Sequence, residues 1–106
     1  MLTDEYRYKI LKELQQDPDI SQRELAKRLD ISLGKANFCL KALIEKGLIK
    51  AENFKNSTNK MGYLYLLTPK GIEEKVSLTQ RFLQRKLKEH EVLEKEIEQL
   101  RQEVKT

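Results

Sequence analysis

Apolar positions recur at three- and four-residue intervals along most of this chain, and the rhythm changes only between residues 48 and 67. Tyr6, Ile10, Leu11 and Leu14 fall on one side of a helix predicted over about residues 4–16. Asp17-Pro18-Asp19 ends it, because proline disfavours helical dihedrals in the residue before it. Ser21-Gln22-Arg23-Glu24 then reads as a capping box, with the Ser21 hydroxyl accepting from the Glu24 N–H and the Glu24 carboxylate reaching back to Ser21. Leu25, Ala26 and Leu29 continue at helical spacing until Asp30-Ile31-Ser32 breaks the run.

Ser32 is placed to cap the next helix, and Gly47 stands where a left-handed stop is expected. Between them Leu33, Ala36, Leu40, Leu43 and Ile44 share one face, predicted to be buried. The opposite face carries Gly34, Phe38, Lys41 and Glu45, flanked by Lys35 and Asn37. Two short helices joined by a tight turn make a helix-turn-helix, whose second helix can enter the major groove of DNA.

Beyond Gly47, residues 48–54 and 63–67 read as strands around a polar tip, with Ile49 and Ala51 on one side of the first. In the second, Tyr63-Leu64-Tyr65-Leu66-Leu67, both alternations are apolar, so the buried side stays open. Thr68-Pro69 supplies an N-cap and a proline at the first helical position. A 4–3 spacing follows through Ile72, Val76, Thr79, Leu83, Lys86, His90, Leu93, Ile97, Leu100 and Val104, with charged flanks. That seam predicts a coiled coil, interrupted at Lys86 and His90 in a way that can specify register. A helix of ~37 residues spans roughly 55 Å. A small domain cannot cover so long a stripe, so a second copy is the expected partner. Ile72, Val76, Leu83, His90, Leu93, Ile97, Leu100 and Val104 would form the homodimer face. The fold class is therefore mainly α with a small β-hairpin, a winged helix-turn-helix followed by a long coiled-coil helix. The expected division is a DNA-binding domain over 1–68 and a dimerisation helix over 69–106.

Composition sharpens this picture. At 106 residues there is room for one small core and an appended element. The formal charge is only +4, but residues 31–60 hold six lysines against Glu45 and Glu52, so the entire excess sits on the second helix and the hairpin. A phosphate-binding footprint has that distribution. No apolar run is long enough to span a membrane and no signal-peptide core is visible, so a soluble cytoplasmic protein is expected, with no membrane partner. The single cysteine, Cys39, excludes an intrachain disulfide and is expected to be a small buried residue. One histidine, His90, without neighbouring ligands argues against a metal site, and no cofactor is expected. An enzyme is disfavoured too, since no nucleophile–base pair, phosphate-cradling glycine loop or metal-ligand spacing is present.

The groove-facing set is Ser32, Lys35, Asn37, Phe38 and Lys41. A serine at a helix start can bond phosphate, asparagine suits adenine, and lysine reaches guanine acceptors or phosphates. Phe38 either packs on a thymine methyl or tucks against the hairpin or a neighbouring chain. Gln22 and Arg23 open the first helix of the pair, which usually crosses the phosphate backbone. Ser21 is assigned to its cap.

From Ile20 to Lys75 the chain resembles MarR-type winged-helix transcriptional regulators, through ISQRELAKRLDIS, KALIEKGLIK and YLLTPKGIEEK. The resemblance lies in a serine-capped recognition helix, its glycine exit, a wing, and an LT-x-x-G entry matched by Leu67 to Gly71. More narrowly, SLGKANFCLKALIEKG and YLLTPKGIEEK resemble a compact subfamily associated with bacterial exopolysaccharide gene clusters. The resemblance implies binding of double-stranded DNA, with Lys55, Asn56, Asn59 and Lys60 at a wing tip touching the minor groove or flanking phosphates. Many members carry additional helices on both sides of the core that enclose an effector crevice. Here the first helix starts almost at Met1 and one helix follows the wing, so no small-molecule effector of that kind is expected. A second reading stays open, since winged helices also serve as protein-interaction modules and a coiled coil can assemble an adaptor.

Overall fold

The structure, a computed structural model, describes residues 2–55 and 61–106. Its elements are α1 (Asp4–Gln16), α2 (Gln22–Leu29), α3 (Leu33–Glu45), β1 (Ile49–Lys55), β2 (Met61–Leu67) and α4 (Pro69–Lys105). The chain divides into two compact units, Met1–Val76 and Ser77–Thr106, with the boundary inside α4.

Each helix start is chemically marked. Thr3 accepts from the Tyr6 N–H at 3.2 Å, and Asp4 and Glu5 lie in the first turn, where negative charge meets the positive end of the helix dipole. Asp4 also pairs with Arg7, whose guanidinium lies 3.6 Å from Glu74 of α4 within the same unit. Only half of the expected capping box forms at α2. Ser21 Oγ accepts from the Glu24 N–H at 3.0 Å, but the Glu24 carboxylate turns away to Arg28 at 3.3 Å. A cationic partner one turn on outcompetes the backbone amide, because the bond to Arg28 is charge-assisted.

Ile10, Leu11 and Leu14 of α1, Leu25 and Ala26 of α2, and Ala36, Cys39, Leu40 and Leu43 of α3 are buried. Leu48, Ile49 and Tyr65 close this core from the hairpin side, and Ile20 from the loop after α1. Full burial of each large aliphatic side chain contributes about 1.5–3 kcal/mol, so the interlocked faces hold the unit together. The buried stripe of α3 is rotated from the expected one. Cys39 is inside with no exposed surface, as expected of it, whereas Leu33 is only half-buried and Ile44 remains 40% exposed, both against expectation. A stripe centred between Ala36 and Leu43 takes in Cys39 and leaves Ile44 at its rim. Tyr6, expected to face inward, is half-buried.

The hairpin is antiparallel, pairing Ile49 with Leu67 and Ala51 with Tyr65. The side of β2 left open by the sequence is settled at Tyr65, which is buried, while Leu64 and Leu66 are half-buried and Ala51 stays exposed. The Tyr65 N–H donates to the Pro18 carbonyl at 2.9 Å, tying β2 to the loop before α2.

Beyond Val76, α4 continues as a helix to Lys105 with Leu83, Leu87, Leu93, Ile97 and Leu100 exposed. Val92 and Leu87 add to the apolar surface outside the expected seam.

Candidate nucleic-acid interface

The turn between α2 and α3 is set by Asp30, the only non-glycine residue with positive φ among those described (φ 54°, ψ 48°). The Ile31 N–H bonds the Ala26 carbonyl at 3.0 Å and the Asp30 N–H bonds Lys27 at 3.2 Å, the paired bonds of a Schellman stop. Aspartate tolerates the left-handed region better than most residues, which is why the turn can be this short. The Ser32 hydroxyl then accepts from the Lys35 N–H at 3.0 Å and opens α3. Gly47, at φ 75°, ends α3 with a second Schellman pair, Gly47 N–H to Ile44 and Leu48 N–H to Leu43, at 2.9 and 3.0 Å.

Between these two fixed ends, α3 exposes Gly34, Lys35, Asn37, Phe38, Lys41 and Glu45. Phe38 is 58% exposed and takes no part in the core. The Lys35 ammonium sits 4.3 Å from the centre of the Tyr6 ring, so this lysine is steered toward α1 by a cation–π contact of about 0.5–1 kcal/mol. Lys41 and Asn37 lie on the same exposed surface. Ser32 is also exposed, with its Oγ already serving as the cap.

At the start of α2, Arg23 is exposed, whereas Gln22 is half-buried and donates from Nε2 to the Tyr65 hydroxyl at 2.9 Å. Gln22 therefore bolts α2 to the hairpin, a role that no local pattern announces because its partner is 43 residues away. Lys55 is the last residue of β1. Asn56, Asn59 and Lys60, the remaining wing-tip candidates, lie outside the described residues.

Two further features were not legible in the sequence. A cleft of about 450 Å³ opens between the start of α2, Leu33 and β2, bordered by Ser21, Gln22, Arg23, Tyr63 and Tyr65. The Tyr63 and Tyr65 rings are 6.1 Å apart, and Tyr63 is 53% exposed at this edge. On another side, Arg28 holds Glu13, Asp17 and Glu24 at 3.0, 3.2 and 3.3 Å, joining α2 to α1 and its following loop. The hydrogen bond to Glu13 above all, helped by Glu24 and Asp17, raises the guanidinium's already high pKa. Asp19 is shifted upward because its protonated carboxyl donates to Asp17 and its ionised form is repelled by it. On β1, Lys50 pairs with Glu52 at 2.8 Å, and that bond raises the lysine's pKa. Part of the positive excess is thus already neutralised on the hairpin.

Among the described residues no group of three or more His, Cys, Asp or Glu side chains could hold a metal ion. No helix there is long and apolar enough to cross a membrane.

Residues 3–50 match a family model described as winged helix-turn-helix DNA-binding. The fold is similar to that of a PadR-like transcriptional regulator from Bacillus cereus, with 21% identity and a TM-score of 0.76, covering 88% of this chain and 95% of that one. MarR of Staphylococcus aureus, solved with salicylate and kanamycin, is 28% identical with a TM-score of 0.61, over 83% of this chain and 56% of that one. The adhesin competence repressor of Streptococcus pyogenes is 21% identical with a TM-score of 0.66, over 84% of this chain and 64% of that one. The chain thus spans nearly all of the first and less than two thirds of the other two. No curated protein sequence matches. The winged helix-turn-helix DNA-binding model and the likeness to MarR support a DNA-binding regulator.

Proposed function

We propose that this protein is a sequence-specific regulator of transcription that places α3 in the major groove of double-stranded DNA and works as a homodimer joined through α4. The observation that carries the reading is the outer face of α3. Asn37, Phe38 and Lys41 stand exposed on a helix whose ends are fixed by Ser32 and Gly47 and whose other face is buried. A helix held this rigidly, with a bidentate amide, a cation and an aromatic ring facing out, has the chemistry of base-edge and phosphate readout. Arg23, at the start of α2, is suited to the phosphates flanking the groove, and the hairpin from Lys55 onward to neighbouring DNA. The resemblance of the α3 and α4-entry motifs to the compact exopolysaccharide-associated subfamily extends the proposal to genes of that kind.

Dimerisation is supported by the exposed stripe of α4, which a single chain leaves in water. Two-fold symmetry then implies a pseudo-palindromic operator with half-sites one helical turn apart or a multiple of it. The test is selection of bound fragments from the host genome, followed by gel-shift titration of the recovered sites at several salt concentrations. Affinity should fall steeply as salt rises and discriminate recovered sites from scrambled ones. Absence of binding at low salt, or binding insensitive to salt, overturns the reading in favour of a protein-interaction adaptor.

A further inference from the structure

We infer that α4 pairs with a second copy of itself in antiparallel orientation, about a two-fold axis at the level of Lys88. This rests on the proposal that α4 is the dimer helix and adds its direction and register.

Charge along the helix is segregated. Residues 78–88 carry Arg81, Arg85, Lys86 and Lys88 and no carboxylate. Residues 89–98 carry Glu89, Glu91, Glu94, Glu96 and Glu98 against the single Lys95. A parallel, in-register pair sets each block against its own copy, positive on positive and negative on negative. An antiparallel pair centred on Lys88 sets each basic block against an acidic one. Packed helices lie 8–10 Å apart, close to the ~8 Å Debye length at physiological salt, so flanking charges on facing helices still sense one another.

The seam points the same way. Its apolar members Leu83, Leu93 and Ile97 are exposed, at 54%, 52% and 41%. Lys86 and His90 are the polar interruptions, each tied along its own helix, to Glu89 at 3.2 Å and Glu94 at 2.9 Å. In a parallel pair Lys86 faces Lys86 of the partner subunit inside the seam, where water and salt screen poorly. In the antiparallel register Lys86 meets His90 of the partner subunit, an imidazole already held by a carboxylate of its own helix, instead of a second lysine ammonium. Leu83 then meets Leu93 of the partner subunit, and Thr79 meets Ile97 of the partner subunit. The two strongly polar interruptions, Lys86 and His90, are collected into adjacent layers at the centre, Leu83 is matched with Leu93 on either side, and Thr79 is the one remaining polar position, set against Ile97. Polar residues matched in this way are a common means of fixing register in coiled coils.

The experiment is disulfide trapping on the full chain, with Leu83→Cys and Leu93→Cys variants oxidised separately and as an equimolar mixture after subunit exchange. Native protein is the blank, since Cys39 is fully buried. Sedimentation of each reduced variant reports independently whether it is a dimer. The expected result is a covalent dimer that is abundant in the mixture, up to the fraction of mixed dimers that exchange produces, and minor in either variant alone. Efficient trapping of each variant with itself overturns the antiparallel assignment. Dimeric sedimentation with no trapping in any arm overturns the register. Monomeric sedimentation of the native chain instead overturns the underlying dimer proposal. Should Leu83→Cys weaken assembly, Thr79→Cys mixed with Ile97→Cys reads the same register with a milder change.

Discussion

The backbone of Gly71, in the first turn of α4, lies flush against the carbonyl group of Leu48, just beyond the exit of α3. A Cβ built on Gly71 overlaps the Leu48 carbonyl oxygen outright and falls 2.9 Å from its carbonyl carbon. The same junction is bonded by Thr68, whose N–H donates to the Leu48 carbonyl at 3.0 Å and whose hydroxyl donates to the Gly47 carbonyl at 2.6 Å. That hydroxyl also accepts from the Gly71 N–H at 3.0 Å, capping α4. The LT-x-x-G motif is thus a clamp that fixes the start of α4 to the end of α3.

Gly71→Ala should therefore destabilise the winged-helix unit by about 3 kcal/mol, in the upper range for overpacking, because the obstacle is backbone. Gly34→Ala is the contrasting control. Nothing lies within 4 Å of a Cβ there, and alanine favours helix by about 1 kcal/mol. Urea titration should show the first variant less stable and the second slightly more stable than native. If Gly34 is where α3 approaches DNA closely, the stabilised variant should also bind DNA less tightly.

The two left-handed stops should respond in opposite directions. Gly47→Ala forces a Cβ into φ 75° and should cost about 1 kcal/mol from the backbone alone, since space around it is open. Asp30→Gly removes the same strain and should be neutral or slightly stabilising, provided the loss of the side chain costs nothing. Thermal melts of both variants decide this. A Gly47→Ala melt equal to that of the native chain would mean that the stop is not under conformational constraint.

Much of this organisation is legible in local spacing. The predicted limits of α1 and the proline-capped start of α4 coincide with the structure, because Pro18, Thr68 and Pro69 act through neighbouring dihedrals. Gly47 was readable for the same reason. What spacing could not show is what depends on distant partners. Nothing in the spacing shows that the Gln22 amide bonds the Tyr65 hydroxyl, or that Glu13 and Asp17 converge on Arg28. Lys35 belongs to the exposed face by its angle on the helix, yet its length lets it reach the Tyr6 ring. The role of Gly71 was visible as a motif, but its cause is a carbonyl 23 residues earlier.

Acid titration offers a test of the loop before α2. The pKa of Asp19 is raised above its ordinary 3.8 by Asp17, first through the hydrogen bond and then through charge repulsion. The folded state therefore holds this proton more tightly than the unfolded chain. The stability so gained is present below pH 3.8 and is lost as pH rises through the folded pKa. Asp19→Asn keeps a donor toward Asp17 at every pH. It should be more stable than the native chain above that window, and the difference should close on acidification. A gap that instead widens in acid would refute this arrangement.

Assembly can be probed without disturbing the core. Leu93 and Ile97 are exposed in the single chain, so Leu93→Lys with Ile97→Lys should leave the winged-helix unit folded, as judged by its circular dichroism and near-native melting. The same variant should sediment as a monomer and lose most of its affinity for a two-half-site operator, while binding of a single half-site changes little. A dimer that survives both charges would place the interface elsewhere.

Substitutions at Lys35 and Lys41 can separate the two ways of touching DNA that the proposal allows. Among the described residues no ring is recorded against Lys41, whereas Lys35 leans on Tyr6, so Lys41 is the better placed to reach into a groove. If Lys41 meets a phosphate, Lys41→Ala should weaken binding to all duplexes alike and flatten the dependence of log K on log salt by roughly 0.9. If it meets a base edge, the loss should fall on the preferred sequence alone, by about 1–3 kcal/mol, and relax preference at one position. Lys35→Ala should show the uniform pattern, because an ammonium held over Tyr6 stands to the side of the helix. Binding curves that match the native chain for both variants, in affinity, specificity and salt dependence, would mean that a different face of the domain meets the DNA.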